Sequence, residues 1–567
     1  MLSDTVTEKI AHMLHMAKRL HAGGHIEDAR RACDLILRLD PDNVGARIRL
    51  GQIARLAGRP EEAVLQFSTG LLHAPDNVHA AGLLSATYRE MHRPDDAERL
   101  LDAVLSTQPG IPELLIEKGR CRLDRGDLAE AQACFERAVA AAPDNAMGHS
   151  MLGITRRRLG DKAGAYASFR AALDHDPDDV SALNGIGNEY LEQERFAEAA
   201  EYYRRALQLR PGFVKAQKNL AYTLSLANDI EAARAAFERL VEIAPGHAEG
   251  RMDYGLFLLS IGEYRHGWDE YEYRWQFANF RERDWSLGLP RWDGSAWQGG
   301  HLLLWGEQGV GDHVLYGTLV ADIQRRYGGP VTIAVEPRLT ALFARSFSGD
   351  GIAVVDRGLP VPGATVQCPF GSLGAWVRQQ ESDFRDGIYL KADHVRSACL
   401  RKRYAALGTH GARLVGLSWR SGNWQVGGYK SLDLQTLLPV LRRPGYTWIN
   451  LQYGDVDAEI AALRQQHGIT IHQDPDIDPM QDLDGFAAQI AALDCVISSS
   501  NSTVHFAGAL GVPCHVLLAA GRGRMWYWPR RGMRTSWYSS LHLLRQDSPG
   551  NWDSSLRQLE DLLHDGG

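Results

Sequence analysis

Three short segments of this chain collect the side chains that chemistry needs, and each follows an apolar run directly. The first is Gly306-Glu307-Gln308-Gly309-Val310-Gly311-Asp312-His313, which opens a helical stretch. Glycines there let the backbone approach a ligand, and a helix N-terminus favours an anion. Gly309 and Gly311 are therefore expected at a ligand. Asp312 has two readings at the helix start. It is an N-cap, or it is a general base that takes a proton from an acceptor hydroxyl. The order G-x-x-G-x-G is not the dinucleotide fingerprint, so a dinucleotide cofactor is not expected.

The second segment is Ser418-Trp419-Arg420-Ser421-Gly422-Asn423, with Lys430 and Ser431 downstream. An Arg and a Lys beyond a strand end suit a phosphate, although a solvated basic loop has the same composition. The third runs from Ser498 to Pro513 and reads strand, polar turn, helix, then Gly-Val-Pro into a new strand. Small hydroxyl residues at that helix start leave free N–H groups for an anion. Ser502 and Thr503 add hydroxyl donors, and His505 in the first turn could donate to a phosphate. Asp476 with Asp478, and Asp482 with Asp484, have a spacing that some sugar-nucleotide enzymes use for a divalent ion. Acids at helix starts are common for another reason, the helix dipole. Lys, Arg and a helix terminus could stabilise a leaving phosphate without metal, so none is expected.

Such segments need strands to hold them. From His301 onward, short apolar runs rich in β-branched residues alternate with helix-like stretches. The strand candidates are 301–305, 331–335, 352–355, 364–368, 414–418, 447–451, 469–472, 495–498 and 514–518. Strands alternating with helices imply parallel sheets covered by helices. The mostly helical, charged stretch 387–411 suits a link between two Rossmann-like lobes. The expected lobes are 301–410 and 411–567. Ligands bind outside the C-terminal strand ends of such sheets, so both lobes would point into one cleft.

The first half has another period. Prolines stand at 41, 75, 109, 143, 177, 211 and 245, every interval being 34 residues, and each is followed by Asp or Gly. Gly51, Gly119, Gly153, Gly187 and Gly255 keep one phase. Ala63, Ala97, Ala131, Ala165, Ala199 and Ala233 keep a second, and Phe67, Phe135, Phe169, Tyr203 and Phe237 a third. Gly or Ala lets two helices approach, the aromatic fills the space between one hairpin and the next, and Pro stops the second helix. One helix pair cannot bury its apolar face alone, but a stack can, giving a superhelix with a concave groove. This is the tetratricopeptide (TPR) period. The array is expected over 1–275. An aromatic-rich junction comes next over 276–300, inside a crowded stretch from Tyr264 to Trp297. It reads as a capping helix with a packed junction, or else as a sugar-stacking surface.

Composition limits the rest. The net charge of -8 gives no basic surface for nucleic acid. No apolar run is long enough to span a membrane, and the N-terminus lacks the apolar core of a signal peptide. The seven cysteines form no CxxC pair, which fits a reducing cytoplasm.

The runs LLLWGEQGVGDHVLYG, GLSWRSGN, KSLDL, NLQYGD and DLDGFAAQIAALDCVISSSNSTVHFAGALGVP resemble the bacterial TPR-repeat glycosyltransferases of GT-B fold. These are similar in plan to the flagellin glycosyltransferases of the FlmG kind and, more distantly, to O-GlcNAc transferase. The resemblance covers nearly the whole chain. It implies an α-solenoid followed by two Rossmann-like lobes, with a nucleotide-sugar donor on the C-terminal lobe and an inverting, metal-independent transfer. The acceptor it implies is Ser or Thr of a protein, flagellin, recruited by the TPR groove. The sugar would be a nonulosonic acid such as pseudaminic acid from its CMP form, a UDP-linked donor being the other option. Asp312 matches the catalytic position of that fold. Gly309, Gly311, Arg420, Lys430, Gln452, Ser502, Thr503 and His505 match the donor-binding positions. Many relatives carry an acid where this chain reads Ser500-Asn501-Ser502-Thr503. Two rival readings are a non-catalytic TPR scaffold with a degenerate transferase domain, and a transferase that builds a cell-surface polysaccharide.

Overall fold

The computed structural model describes residues 4–281, 284–295, 300–349, 351–423 and 425–565. The chain divides into two compact units, Met1–Ala216 and Gln217–Gly567.

The first unit is a series of helical hairpins. Val44–Leu56 packs on Pro60–His73, Pro112–Arg125 on Leu128–Ala141, and Ala146–Arg158 on Lys162–His175. Each periodic proline stands two residues beyond a helix end, as Pro75 does after His73 and Pro109 after Thr107. The residue two places after it often caps the next helix. The side chains of Asn43, Asn77 and Asn145 accept the N–H groups of Ala46, Ala80 and Gly148. Pro therefore ends one helix while Asn starts the next.

The glycine and aromatic phases meet in one contact. A Cβ on Gly119 would stand 2.5 Å from Cε1 of Phe135, and one on Gly153 would stand 2.7 Å from Phe169. Gly51 with Phe67 and Gly187 with Tyr203 repeat the arrangement. The aromatic thus packs first against the glycine of its own hairpin, not only between hairpins. Phe169 also reaches onward, since a Cβ on Gly185 would lie 2.5 Å from its Cζ.

The second unit opens with the same pattern. Its helices include Ile230–Ile243, Ala248–Ser260 and Tyr264–Tyr271. The repeat pattern extends to about residue 275, yet the compact boundary falls at Ala216. The last helices of the array pack with the α/β half of the chain rather than ending a separate domain. Where the closing proline is missing, the chain turns through a 3-10 helix over Glu272–Gln276. Trp268, Tyr271 and Trp292 are buried, and the Trp268 indole donates to the Arg378 carbonyl at 2.8 Å. Arg274 is fully buried, with Glu307, Glu272 and the Ser372 hydroxyl around its guanidinium. Trp268, Tyr271 and Trp292 are packed at the junction, as the first of the two readings expects. Trp297 lies outside the described residues.

Two parallel sheets complete the chain. The first holds β1 (Leu302–Trp305), β2 (Val331–Val335), β3 (Ile352–Asp356) and β4 (Val366–Pro369), in the order β3-β2-β1-β4. The second holds β5 (Arg413–Ser418), β6 (Tyr446–Asn450), β7 (Ile471–His472), β8 (Cys495–Ser499), β9 (Cys514–Leu518) and β10 (Leu541–Arg545), in the order β10-β9-β8-β5-β6-β7. Residues of β1, β8 and β9 are buried throughout, which accounts for their mostly apolar sequences. Strands β1 to β9 match the expected runs, and β10 has no counterpart among them. The helix His394–Ala405, inside the expected linker, packs on the helix Leu483–Ala491 and so belongs with the second sheet. The strand order reverses between β1 and β4 and again between β5 and β8. Loops diverge at such points and leave a crevice at the C-terminal strand ends.

Candidate functional site

The loops at these reversals line one cleft of about 360 Å³. Gly309 ends the loop after β1, and Gly311 and Asp312 lie in the first turn of the helix that follows. Ser421, Gly422, Asn423 and Lys430 come from the segment after β5, and Ser502 and His505 from the helix after β8.

Asp312 sits in the first turn of the helix Val310–Tyr327, where its Oδ2 accepts the Gly309 N–H at 3.3 Å. It therefore caps the helix, as the first sequence reading expects, while lining the cleft. Burial pushes its carboxyl up to about 6. Glu307 reinforces this, and the Gly309 N–H and Lys430 oppose it. A carboxylate so tuned is poised to exchange a proton near neutrality.

Lys430 ends the short helix Gly427–Lys430 and is only 4% exposed. Its ammonium contacts Met525 Sδ at 3.7 Å, and it forms no ion pair among the described residues. Burial pushes it down to about 8, with Asp312 acting the other way. A buried cation lacking a paired carboxylate is costly unless an anion joins it.

The helix Ser502–Leu510 aims its N-terminus at the same space. Asn501 caps it, accepting the Thr503 N–H at 3.0 Å. The Asn501 amide also donates to Ser418 Oγ at 2.7 Å and to the Arg420 carbonyl at 3.0 Å. One side chain thereby ties the loops after β5 and β8 together. Gly311 approaches this helix closely: a Cβ there would lie 3.4 Å from His505 Cδ2 and 3.5 Å from Ser502 Cα. The His505 ring stacks on Trp528 at 5.5 Å between centroids. Burial, then Lys430, push it down to about 3, so the imidazole is neutral at physiological pH.

Three expected ligand groups are placed elsewhere. Arg420 turns away from the cleft, pairing with Glu459 at 3.2 Å and donating to the Asp455 carbonyl at 3.3 Å. Gln452 is buried, and its Oε1 accepts the N–H groups of Trp419 at 2.9 Å and Arg420 at 2.7 Å. It shapes the loop that would touch a ligand. Thr503 is buried beneath the turn, with its hydroxyl 3.4 Å from Ser418 Oγ. Arg420 and Thr503 were expected at a phosphate and Gln452 at the donor, but their side chains are engaged by Glu459, by Ser418 and by the backbone N–H groups of Trp419 and Arg420. The paired acids are also engaged. Asp476 pairs with Arg403, Asp482 caps the helix Leu483–Ala491 and pairs with Arg396, and Asp484 pairs with Arg345. Asp478 accepts the Met480 N–H at 2.7 Å.

Met525 and Tyr527 also line the cleft, from the irregular segment between β9 and β10. No motif or spacing marks them in the sequence. The density of arginine and aromatic residues in 522–531 was the available signal.

A tetratricopeptide-repeat family model matches residues 20–86, 88–153 and 190–255, and a second one matches 150–213. The chain contains tetratricopeptide repeats, a class whose stacked hairpins present binding surfaces to other proteins. It is similar to Protein FlbA of Caulobacter vibrioides, at 29% identity over 577 residues, which covers 98% of this chain and 84% of that protein. Among solved structures, the APC/C hetero-tetramer Cut9–Hcn1 matches with a TM-score of 0.40 at 16% identity, over 47% of this chain and 52% of its own. PilF of Pseudomonas aeruginosa matches with a TM-score of 0.33 at 18% identity, over 37% of this chain and 95% of its own.

Proposed function

We propose that this protein is a glycosyltransferase of GT-B type that moves a sugar from a nucleotide-sugar donor onto a Ser or Thr hydroxyl of a protein. The observation that carries this reading is Lys430, a buried cation without an ion-pair partner among the described residues, which lines the cleft together with a helix N-terminus and Asp312. Such an arrangement accepts a phosphate-linked leaving group beside a base.

In this reading the donor phosphate lies between Lys430 and the N-terminus of Ser502–Leu510, with the Ser502 hydroxyl as a further donor. The acceptor oxygen attacks the anomeric carbon as Asp312 takes its proton. The bond from the anomeric carbon to the phosphate oxygen breaks, and the departing pair of electrons resides on the phosphate. Lys430 and the helix terminus offset that charge, the task a divalent ion performs elsewhere. Attack from the face opposite the leaving group inverts the anomeric centre. His505 is neutral there and can act only as a hydrogen-bond partner.

The repeats supply a surface for a protein acceptor. The resemblance to TPR-bearing transferases favours flagellin as that acceptor and a CMP-linked nonulosonic acid as the donor, with a UDP-linked sugar as the other donor. Intact mass of flagellin from cells with and without the gene tests this. Loss of a discrete sugar mass identifies both acceptor and sugar class. An unchanged mass removes flagellin and sends the search for a partner to the repeats.

A further inference from the structure

Asp312 lines two cavities. Besides the cleft, a space of about 400 Å³ shares Asp312, Asn423, Met525 and Tyr527 with it. Its remaining walls come mainly from the helices Val214–Leu226 and Ala248–Ser260, from Tyr271, Phe280 and Gln308, and last from the segment 522–530.

That last wall carries two half-buried guanidiniums. Arg524 donates to Asn228 Oδ1 at 2.5 Å. Arg530 donates to the Ser225 carbonyl at 2.7 Å, to the Ser225 hydroxyl at 2.8 Å and to the Ser260 hydroxyl at 2.7 Å. Each of these partners is neutral. Elsewhere in the same unit Arg274 is matched by Glu307 and Arg378 by Asp322, whereas Arg545 likewise meets only backbone carbonyls. Helix ends explain Arg530, whose donors reach the last turns of two helices, where carbonyls are in excess. They do not explain Arg524, whose guanidinium meets an amide oxygen. Burial lowers the affinity of both guanidiniums for their protons, and no charged group among the described residues offsets it. Two acids line the cavity, with burial pushing Asp253 up to about 7 and Asp312 up to about 6, and among the described residues neither pairs with Arg524 or Arg530.

We propose that this second cavity receives a carboxylate, held by Arg524, beside the hydroxyl that Asp312 activates. The inference rests on the transferase reading and adds a substrate requirement to it. One source of the carboxylate is an acidic residue flanking the modified Ser or Thr. The other is the carboxylate of the transferred sugar itself.

Calorimetric titration of the full-length protein separates the sources. The probes are CMP, UDP, CMP-N-acetylneuraminate, and two short serine peptides that differ only in carrying Asp or Asn beside the serine. Wild type is compared with Arg524→Gln and with Arg524→Lys, which keeps the charge. If the acceptor supplies the carboxylate, wild type prefers the Asp peptide at least about fivefold, the order expected of one charge-assisted hydrogen bond. Arg524→Gln then erases the preference and Arg524→Lys retains it. If the donor supplies it, Arg524→Gln weakens CMP-N-acetylneuraminate and leaves CMP unchanged. Wild type without a carboxylate preference in either series overturns the proposal, as does a preference that survives in a folded Arg524→Gln. Lack of binding of both CMP and UDP by wild type counts against the transferase reading instead, and the peptide pair still reports on the cavity.

Discussion

Asp312 and Lys430 shift each other's titration, and that coupling can be read in a pH profile. The Asp312 carboxyl lies near 6 and must be ionised to accept a proton. The Lys430 ammonium lies near 8 and must be charged to hold a phosphate. The profile of kcat/KM should therefore fall below pH about 6 and again above about 8. His505 adds no limb, since it stays neutral throughout. Lys430→Met removes the charge that lowers Asp312, so the acidic limb should move upward as the basic limb disappears. A profile that keeps both limbs in that variant would remove Lys430 from the site. Asp312→Asn tests the base itself. Transfer should drop about 10²- to 10⁴-fold, the usual weight of a general base. The variant should also melt higher than wild type near pH 7. The folded-state value lies above the ordinary 3.8, so ionising Asp312 costs the folded state. That cost is absent well below pH 3.8, where both states hold the proton, grows as pH rises towards about 6, and levels off above that. The Tm gain should track the same course, because Asn still accepts the Gly309 N–H. Equal melting temperatures at pH 7 would contradict the raised value.

The helical hairpins depend on contacts that a single methyl group disturbs. A Cβ on Gly119 would meet Phe135 at 2.5 Å, closer than real contacts allow. Alanine there gains about 1 kcal/mol of helix propensity and loses about 1–3 kcal/mol to overpacking. Gly119→Ala is expected to destabilise the unit in chemical denaturation. Phe135→Leu costs stability alone but makes room, so the double variant should be more stable than the sum of the two singles predicts. Additive effects would mean that glycine and ring are not partners. The 34-residue period made this pairing legible, because glycine and aromatic recur in fixed phase. It did not show that the ring packs inside its own hairpin, a question of χ angles rather than spacing. The strands were legible for a similar reason, since two-sided burial forces mostly apolar runs. The exception, β10, is reached through an irregular segment rich in tryptophan and arginine, so no alternation announced it. Arg420 was misplaced because strand-end position predicts what a residue could reach, whereas Glu459, far along the chain, decides where it points. The same blindness to long-range partners hid Tyr527 and Met525.

On the proposed function, recruitment and chemistry fall to different parts of the chain. Every residue lining the cleft or the second cavity lies between Tyr222 and Arg530, inside the unit Gln217–Gly567. No described residue of the unit Met1–Ala216 lines either space. A chain starting at Arg210 begins in the break between the helices Phe196–Leu209 and Val214–Leu226, so the second helix stays whole. This shortened protein is expected to fold and to bind the donor nucleotide with a Kd within about threefold of the full chain. Its kcat on a protein acceptor should change little, because Asp312, Lys430 and the Ser502 turn are intact. Its KM for that acceptor should rise by roughly 10² or more, as the repeats no longer raise the local concentration of the acceptor at the cleft. A small serine peptide that engages only the cleft should show no such penalty. The comparison of folded acceptor with peptide is what discriminates. A rise in KM for both would mean that the missing repeats shape the site itself. An unchanged KM for both would mean that the helices retained at the start of the second unit already carry the acceptor contacts, and the first unit would then need a different partner.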